Sequence, residues 1–280
     1  MKKGYTLIEL LSVIVILAVI SAIAYPKILD LIATSKISAY NSAKGNIIES
    51  AKLKYLADVN AAKITEYTVD DLIQGGYLKK ETKNPLTNEE YENTKVMITN
   101  DNGKIVYNYI EGNTLYDIIS KLDDKDGLYK QNNNYVYKGI NSKKYIYFKC
   151  EIYIILKIDS YRNVYILKDN TDNIINIDNI NDYKNSYYND NYLENEKDYI
   201  ISIDVLNYQD YINSFIDNDT YIENYNNIWI KNNKEYKVLS YLNNELINTN
   251  EATIRFVLKI KNVSTILDGN GTQLNPYILH

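Results

Sequence analysis

The chain is 280 residues long, with 31 Lys and Arg against 36 Asp and Glu and a formal net charge of -5 at pH 7. That acid excess argues against a partner held by phosphate neutralisation, so no nucleic acid is expected. One histidine, His280, and one cysteine, Cys150, nearly exclude a Ser-His-Asp or Cys-His constellation and rule out an intrachain disulfide.

An apolar run from Tyr5 to Tyr25 follows Met1-Lys2-Lys3-Gly4. As a helix it would be about 30 Å long, enough to cross the hydrocarbon layer of a membrane. Lys2 and Lys3 precede it, and Lys27 after it is balanced by Asp30. That asymmetry puts the leader in the cytoplasm and the rest of the chain outside. Glu9 lies inside the run, where a charge costs about 2.5–3.5 kcal/mol and calls for a partner. Pro26 has no N–H and is expected to kink a continuing helix or mark a soft joint. Two plainer readings compete. One is a secretory signal peptide cut at the small residues of Ser21-Ala22-Ile23-Ala24, the other a simple one-pass anchor. The carboxylate within the run and the length of the run weigh against the signal peptide.

Gly4-Tyr5-Thr6-Leu7-Ile8-Glu9, with Pro26 one membrane crossing later, closely resembles the N-terminus of type IV prepilins and pseudopilins. Tyr5 departs mildly from the Phe or Met more usual there. The resemblance covers roughly residues 1–60. It implies a leader of residues 1–4, cleavage between Gly4 and Tyr5 by a prepilin peptidase, and N-methylation of the Tyr5 amine. It also implies assembly with other pilin subunits through a platform in the membrane. In a filament of packed N-terminal helices, Glu9 of one subunit can pair with the Tyr5 amine of a neighbour. Breaking one side of such a buried pair typically costs about 3–5 kcal/mol, so the pair acts as a register device.

The helix is expected to continue to residue 60. Ala33, Ile37, Tyr40, Ala43, Ile47, Ala51, Tyr55 and Val59 recur at spacings of three and four, an amphipathic stripe. A small head over 61–120 follows. Thr68-Val69-Asp70-Asp71 caps a short helix that Gly75-Gly76 ends. Lys95–Thr99 and Lys104–Tyr109 form a hairpin turned by Asn100-Asp101-Asn102-Gly103. Leu72-Ile73-Gln74-Gly75-Gly76-Tyr77-Leu78 and Asn84-Pro85 are similar to segments in pilins of Gram-positive bacteria.

A charged joint, Lys121-Leu122-Asp123-Asp124-Lys125-Asp126-Gly127, separates this head from a β-rich second domain over 126–280. Strands are expected at 134–138, 144–158, 163–168, 199–205, 228–230 and 253–260, and a short helix near 206–215. Asn-rich stretches such as Asn181–Asn191 read as solvated loops. The second domain is similar to a passenger domain of surface proteins from Firmicutes-like bacteria. The matching residues are Glu151 and Tyr153, Trp229-Ile230, Ile254-Arg255-Phe256-Val257, and Gly269-Asn270-Gly271-Thr272 through Pro276-Tyr277. Tyr153 and Phe256 depart from the Trp and Pro of that pattern, and the resemblance carries no activity.

The chain has 30 Tyr. A tyrosine-rich surface could bind sugars, but an AT-rich coding bias accounts for Tyr, Asn, Ile and Lys together and takes most of the weight. A buried strand position is the expectation for Cys150. Asp124-Lys125-Asp126-Gly127 fails as a calcium loop, because Leu122 and Asn133 fall where acids are required. No cofactor and no metal are expected.

The expected fold is α+β: a long N-terminal helix with a small hairpin head, then a β-rich domain. The expected function is a type IV pilin-like structural subunit, a minor or tip pilin that is held by a single membrane pass and then built into a surface filament. Its second domain would meet a host or surface glycan or protein ligand. A pseudopilin of a secretion or DNA-uptake machine is the alternative. A surface-displayed enzyme is disfavoured by the missing His and Cys chemistry.

Overall fold

The structure, a computed structural model, describes residues 7–58, 61–62, 64–80, 82–101, 103–132, 134–139, 143–168, 173–215, 220, 222 and 226–279. The chain divides into two compact units, residues 1–109 and 110–280. The architecture is α+β, as the sequence indicates.

The first unit begins with α1 (Leu7–Ala57), 51 residues of continuous helix that runs through Pro26. Then come β1 (Ile64–Thr68), α2 (Val69–Gln74), β2 (Thr94–Asp101) and β3 (Lys104–Glu111). The sheet order is β1-β2-β3, with β1 antiparallel to β2. The sequence reading held only the β2–β3 hairpin, so β1 is an addition. The stripe on α1 is buried only toward its C-terminal end. Ile47 and Ala51 are fully buried against Tyr67, Val69, Leu72, Val96 and Ile98, whereas Ile37 stays exposed. Polar bonds fix the same end: Ser50 donates to the Tyr77 carbonyl at 2.9 Å and Lys54 to the Asp71 carbonyl at 2.9 Å.

Helix α2 starts where its sequence says it should. The Thr68 hydroxyl accepts from the Asp71 N–H at 3.0 Å, and the Asp71 carboxylate accepts from the Thr68 N–H at 2.9 Å. This reciprocal pair satisfies two of the backbone donors a helix start leaves open. Burial works against the Asp71 charge, but the two Thr68 bonds and nearby Lys54 outweigh it and hold its pKa below the usual carboxylate value.

The second unit contains α3 (Leu115–Ile119), β4 (Leu128–Gln131), β5 (Asn134–Tyr137), β6 (Tyr145–Phe148), β7 (Glu151–Ile158), β8 (Val164–Lys168) and β9 (Ile174–Asn176). It continues with α4 (Ile180–Asn191), α5 (Glu194–Lys197), β10 (Ile200–Val205), α6 (Tyr208–Asn213), β11 (Ile228–Asn232) and β12 (Glu235–Leu239). It closes with β13 (Leu246–Ile247), β14 (Glu251–Thr253), β15 (Phe256–Ile260), β16 (Ile266–Asp268) and β17 (Tyr277–Leu279). Nine strands form one sheet, ordered β10-β15-β8-β7-β6-β17-β16, with β5 also on β7 and β4 on β5. Five form another, ordered β13-β12-β11-β14-β9. One core joins them, centred on Tyr153, Ile155, Ile166, Trp229, Phe256 and Leu258. Leu115 and Ile119 of α3, which the sequence reading placed in the small head, belong to this core.

Two expectations are corrected. Residues 180–191 form helix α4, not a solvated loop. Asn and Asp are weak helix formers, but α4 buries Ile180 and Tyr187 and stacks Tyr183 on Phe256, so packing decides. Cys150 is exposed and not buried in a strand. It sits with Lys149 in the turn between β6 and β7, both residues at positive φ, 55° and 59°.

Candidate functional site

The residues singled out at the N-terminus are reached only in part. Gly4 and Tyr5 lie outside the described residues, and Glu9 and Pro26 are placed as positions of α1 with their side chains outside them. Among the described residues, no helix is long and apolar enough to cross a membrane. The 5–25 segment includes positions 5, 6, 9, 19, 21–23 and 25, which are wholly or in their side chains outside that description. Around them α1 is apolar on every side. Val13, Ile14, Val15, Ile16 and Leu17 are consecutive, so they sweep all faces of the helix, and each is more than half exposed, from 52% to 58%. So much bare apolar surface marks a segment that something outside the chain covers.

The second unit carries a cleft of ≈ 600 Å³. Its floor lies along a row of cross-strand partners on the large sheet: Val136 on β5 faces Lys157 on β7, which faces Tyr165 on β8, and beyond Lys259 on β15, which does not itself line the cleft, the row reaches Ser202 on β10. The Lys157 and Lys259 ammoniums lie 4.6 and 5.1 Å from the Tyr165 ring centre. The walls come from the β4–β5 turn, α6 and the β11–β12 turn, and include Gln131, Asn134, Asn207, Gln209, Asn213 and Asn233.

Every charge lining the cleft is paired. Lys157 donates to both oxygens of Asp210, at 2.6 and 2.8 Å. Lys231 meets Asp204 at 2.6 Å, and Lys184 approaches the same carboxylate at 3.6 Å. The bond to Asp204 raises the Lys231 pKa above the ordinary lysine value, against the opposing effect of burial. Behind the lining, beside Tyr165, burial opposes the Lys259 charge, but hydrogen bonds with Tyr165 and Asp159 hold its pKa up.

Residues 1–25 match the prokaryotic N-terminal methylation motif. The match supports a type IV prepilin-like protein, a pilin or a pseudopilin, and implies processing by a prepilin peptidase and assembly with other pilins. It suggests a course from membrane anchoring to a surface filament. No curated protein and no solved structure matches the chain.

In this prepilin-like chain three of the residues that carry the passenger-domain resemblance, Glu151, Tyr153 and Arg255, meet in one polar network. The Lys168 ammonium meets Glu151 at 3.0 Å and donates to the Tyr187 hydroxyl at 3.1 Å. Tyr153 donates to Glu151 at 3.1 Å, and Arg255, 1% exposed, donates through Nε to the Lys168 carbonyl at 3.0 Å. Burial, with Tyr192 and Glu151 nearby, pushes the Tyr153 phenol far above its ordinary pKa. Trp229 is buried elsewhere, donating to the Ile175 carbonyl at 2.8 Å. These bonds fasten β7, β8, α4 and the segment just before β15 together, so Glu151, Tyr153 and Arg255 hold structure.

The cleft was not legible as a site. Its one local sign was a lysine inside an otherwise apolar strand, Lys157 in Ile152–Ile158. In a half-buried strand such a residue marks the face turned from the core.

Proposed function

We propose that the chain is a minor or tip subunit of a type IV pilin-like filament that displays its second unit outside the cell. The carrying observation is the methylation motif at residues 1–25, which heads a 51-residue helix. That helix has exposed apolar residues at its N-terminal end, and its C-terminal stripe is covered by the first unit. One end is left for lipid and then for neighbouring helices, while the other holds the head.

In this reading a prepilin peptidase cuts between Gly4 and Tyr5 and the Tyr5 amine is methylated. Residues 5–25 hold the chain as a single pass until the assembly platform extracts it. Glu9 then meets the Tyr5 amine of a neighbour, and a subunit out of register leaves a buried charge unpaired. Residues 110–280 form a unit with its own core. A head of that bulk is hard to pack at every position of a thin fibre, which supports a minor or tip place. The work of the chain is assembly and display, not catalysis.

The test is mild shearing of cells followed by fractionation. The chain is expected among the sheared surface filaments together with a major pilin. Recovery wholly in the membrane fraction, with filaments present and lacking it, would overturn the filament reading.

A further inference from the structure

We propose that the cleft of the second unit is a binding site for a neutral oligosaccharide. The proposal deepens the display reading above by naming what the displayed unit would hold.

Size comes first. A volume of ≈ 600 Å³ falls within the range of ligand clefts, about 300–1,000 Å³, and is far more than an ion needs. Charge comes next. The lining holds two lysines, Lys157 and Lys231, and two aspartates, Asp210 and Asp204, and each lysine already meets one of them. A phosphate, sulfate or carboxylate would have to break one of these pairs, so an anionic ligand is disfavoured. The apolar side chains of the lining are Val136, Val205, Val257 and the ring of Tyr165, and they are interspersed with the carboxamides of Gln131, Asn134, Asn207, Gln209, Asn213 and Asn233, so a ligand that is both apolar and rich in hydroxyls suits the cleft better than a purely apolar one.

What remains is a dense set of groups that both give and accept hydrogen bonds. Gln131, Asn134, Ser202 and Asn233 make no side-chain hydrogen bond among the described residues. Gln209 gives its amide to Asn213 Oδ1 at 3.1 Å, which leaves Gln209 Oε1 open to accept and Asn213 Nδ2 open to donate. Asn207 accepts from the Gln209 N–H at 2.8 Å and keeps its own amide free. A sugar hydroxyl is at once donor and acceptor. It is matched by a carboxamide, or by a lysine–aspartate pair that offers one of each side by side. The cleft supplies both kinds side by side, from the Gln131, Asn134, Asn207, Gln209, Asn213 and Asn233 carboxamides and the two lysine–aspartate pairs.

The test uses the full-length chain purified in detergent, applied to arrayed neutral oligosaccharides of hexoses and N-acetylhexosamines, with sialylated and sulfated glycans alongside. Saturable binding of a neutral oligosaccharide is expected, unchanged by high salt because no net charge is involved. Ser202→Trp fills the cleft from an exposed strand position and should abolish it. Gln131→Ala or Asn134→Ala should each weaken it about threefold to tenfold, the loss of one hydrogen bond. The proposal is overturned if no neutral oligosaccharide binds, if Ser202→Trp leaves binding unchanged, or if only anionic glycans bind and salt removes them. Because the assay reads the purified chain, it can fail while filament entry stands, and filament entry can fail while it succeeds.

Discussion

Tyr153 and Tyr192 join their hydroxyls at 3.1 Å inside the second unit. Tyr153 spends its proton on Glu151, so Tyr192 is the donor between them. Phe148 packs against both rings, edge-on to Tyr153 and stacked on Tyr192. Tyr153→Phe keeps the ring and removes both bonds. It should destabilise the second unit by about 1–3 kcal/mol, the cost of stranding a buried polar partner. A lowered urea midpoint of that unit, at unchanged slope, is the expected reading.

Three other buried tyrosines predict alkaline lability. Burial and the Asp58 carboxylate push Tyr67 up to about 12, burial raises Tyr211 to about 12, and burial with Asp126 raises Tyr277 to about 12. In the unfolded chain a phenol titrates near 10. The folded state therefore holds these protons longer, and its advantage is complete below pH about 10 and lost as pH rises through about 12. Unfolding midpoints measured across that window should fall steadily. Tyrosinate absorbance should show one class of phenol that ionises only as the chain unfolds.

Gly271 tests the closing turn. Its φ is 80°, and a Cβ there would run into the Tyr277 ring and come within 2.8 Å of the Lys143 carbonyl. Gly271→Ala should cost about 2–4 kcal/mol, from the left-handed backbone and the clash together. Gly112→Ala isolates the backbone share, because Gly112 has φ 87° with open space around it. It should cost about 1–2 kcal/mol. Equal melting losses for the two variants would contradict the packing drawn for Tyr277.

Legibility followed how local each signal was. Helix α2 could be read because Thr68, Asp71 and Gly75-Gly76 act within a few residues of one another. Strands β6 and β7 ran together as one expected strand because their turn is Lys149-Cys150, with positive φ but neither Gly nor Asn to mark it. Strands β14 and β15 also merged, because Ile254 and Arg255 between them are buried and give no sign of a break. Helix α4 was hidden by poor propensity and revealed by its contacts with Phe256. The cleft was least accessible, since Gln131, Lys157, Asp204 and Lys231 meet only after two sheets have formed.

Glu9 tests the register argument. Glu9→Ala removes the carboxylate and leaves the cleavage junction at Gly4 and Tyr5 intact. Processing should therefore survive while filament entry falls severalfold, because a neutral position no longer selects the Tyr5 amine of a neighbour. Immunoblots of membrane and sheared fractions read both steps. Normal filament entry by the variant would remove the pairing from the account.

The most direct measurement is the N-terminus of the mature chain, by mass spectrometry on membrane and sheared-surface fractions. The account predicts a chain that begins at N-methylated Tyr5. A chain that begins at Tyr25 would make residues 1–24 an ordinary signal peptide and contradict the filament account.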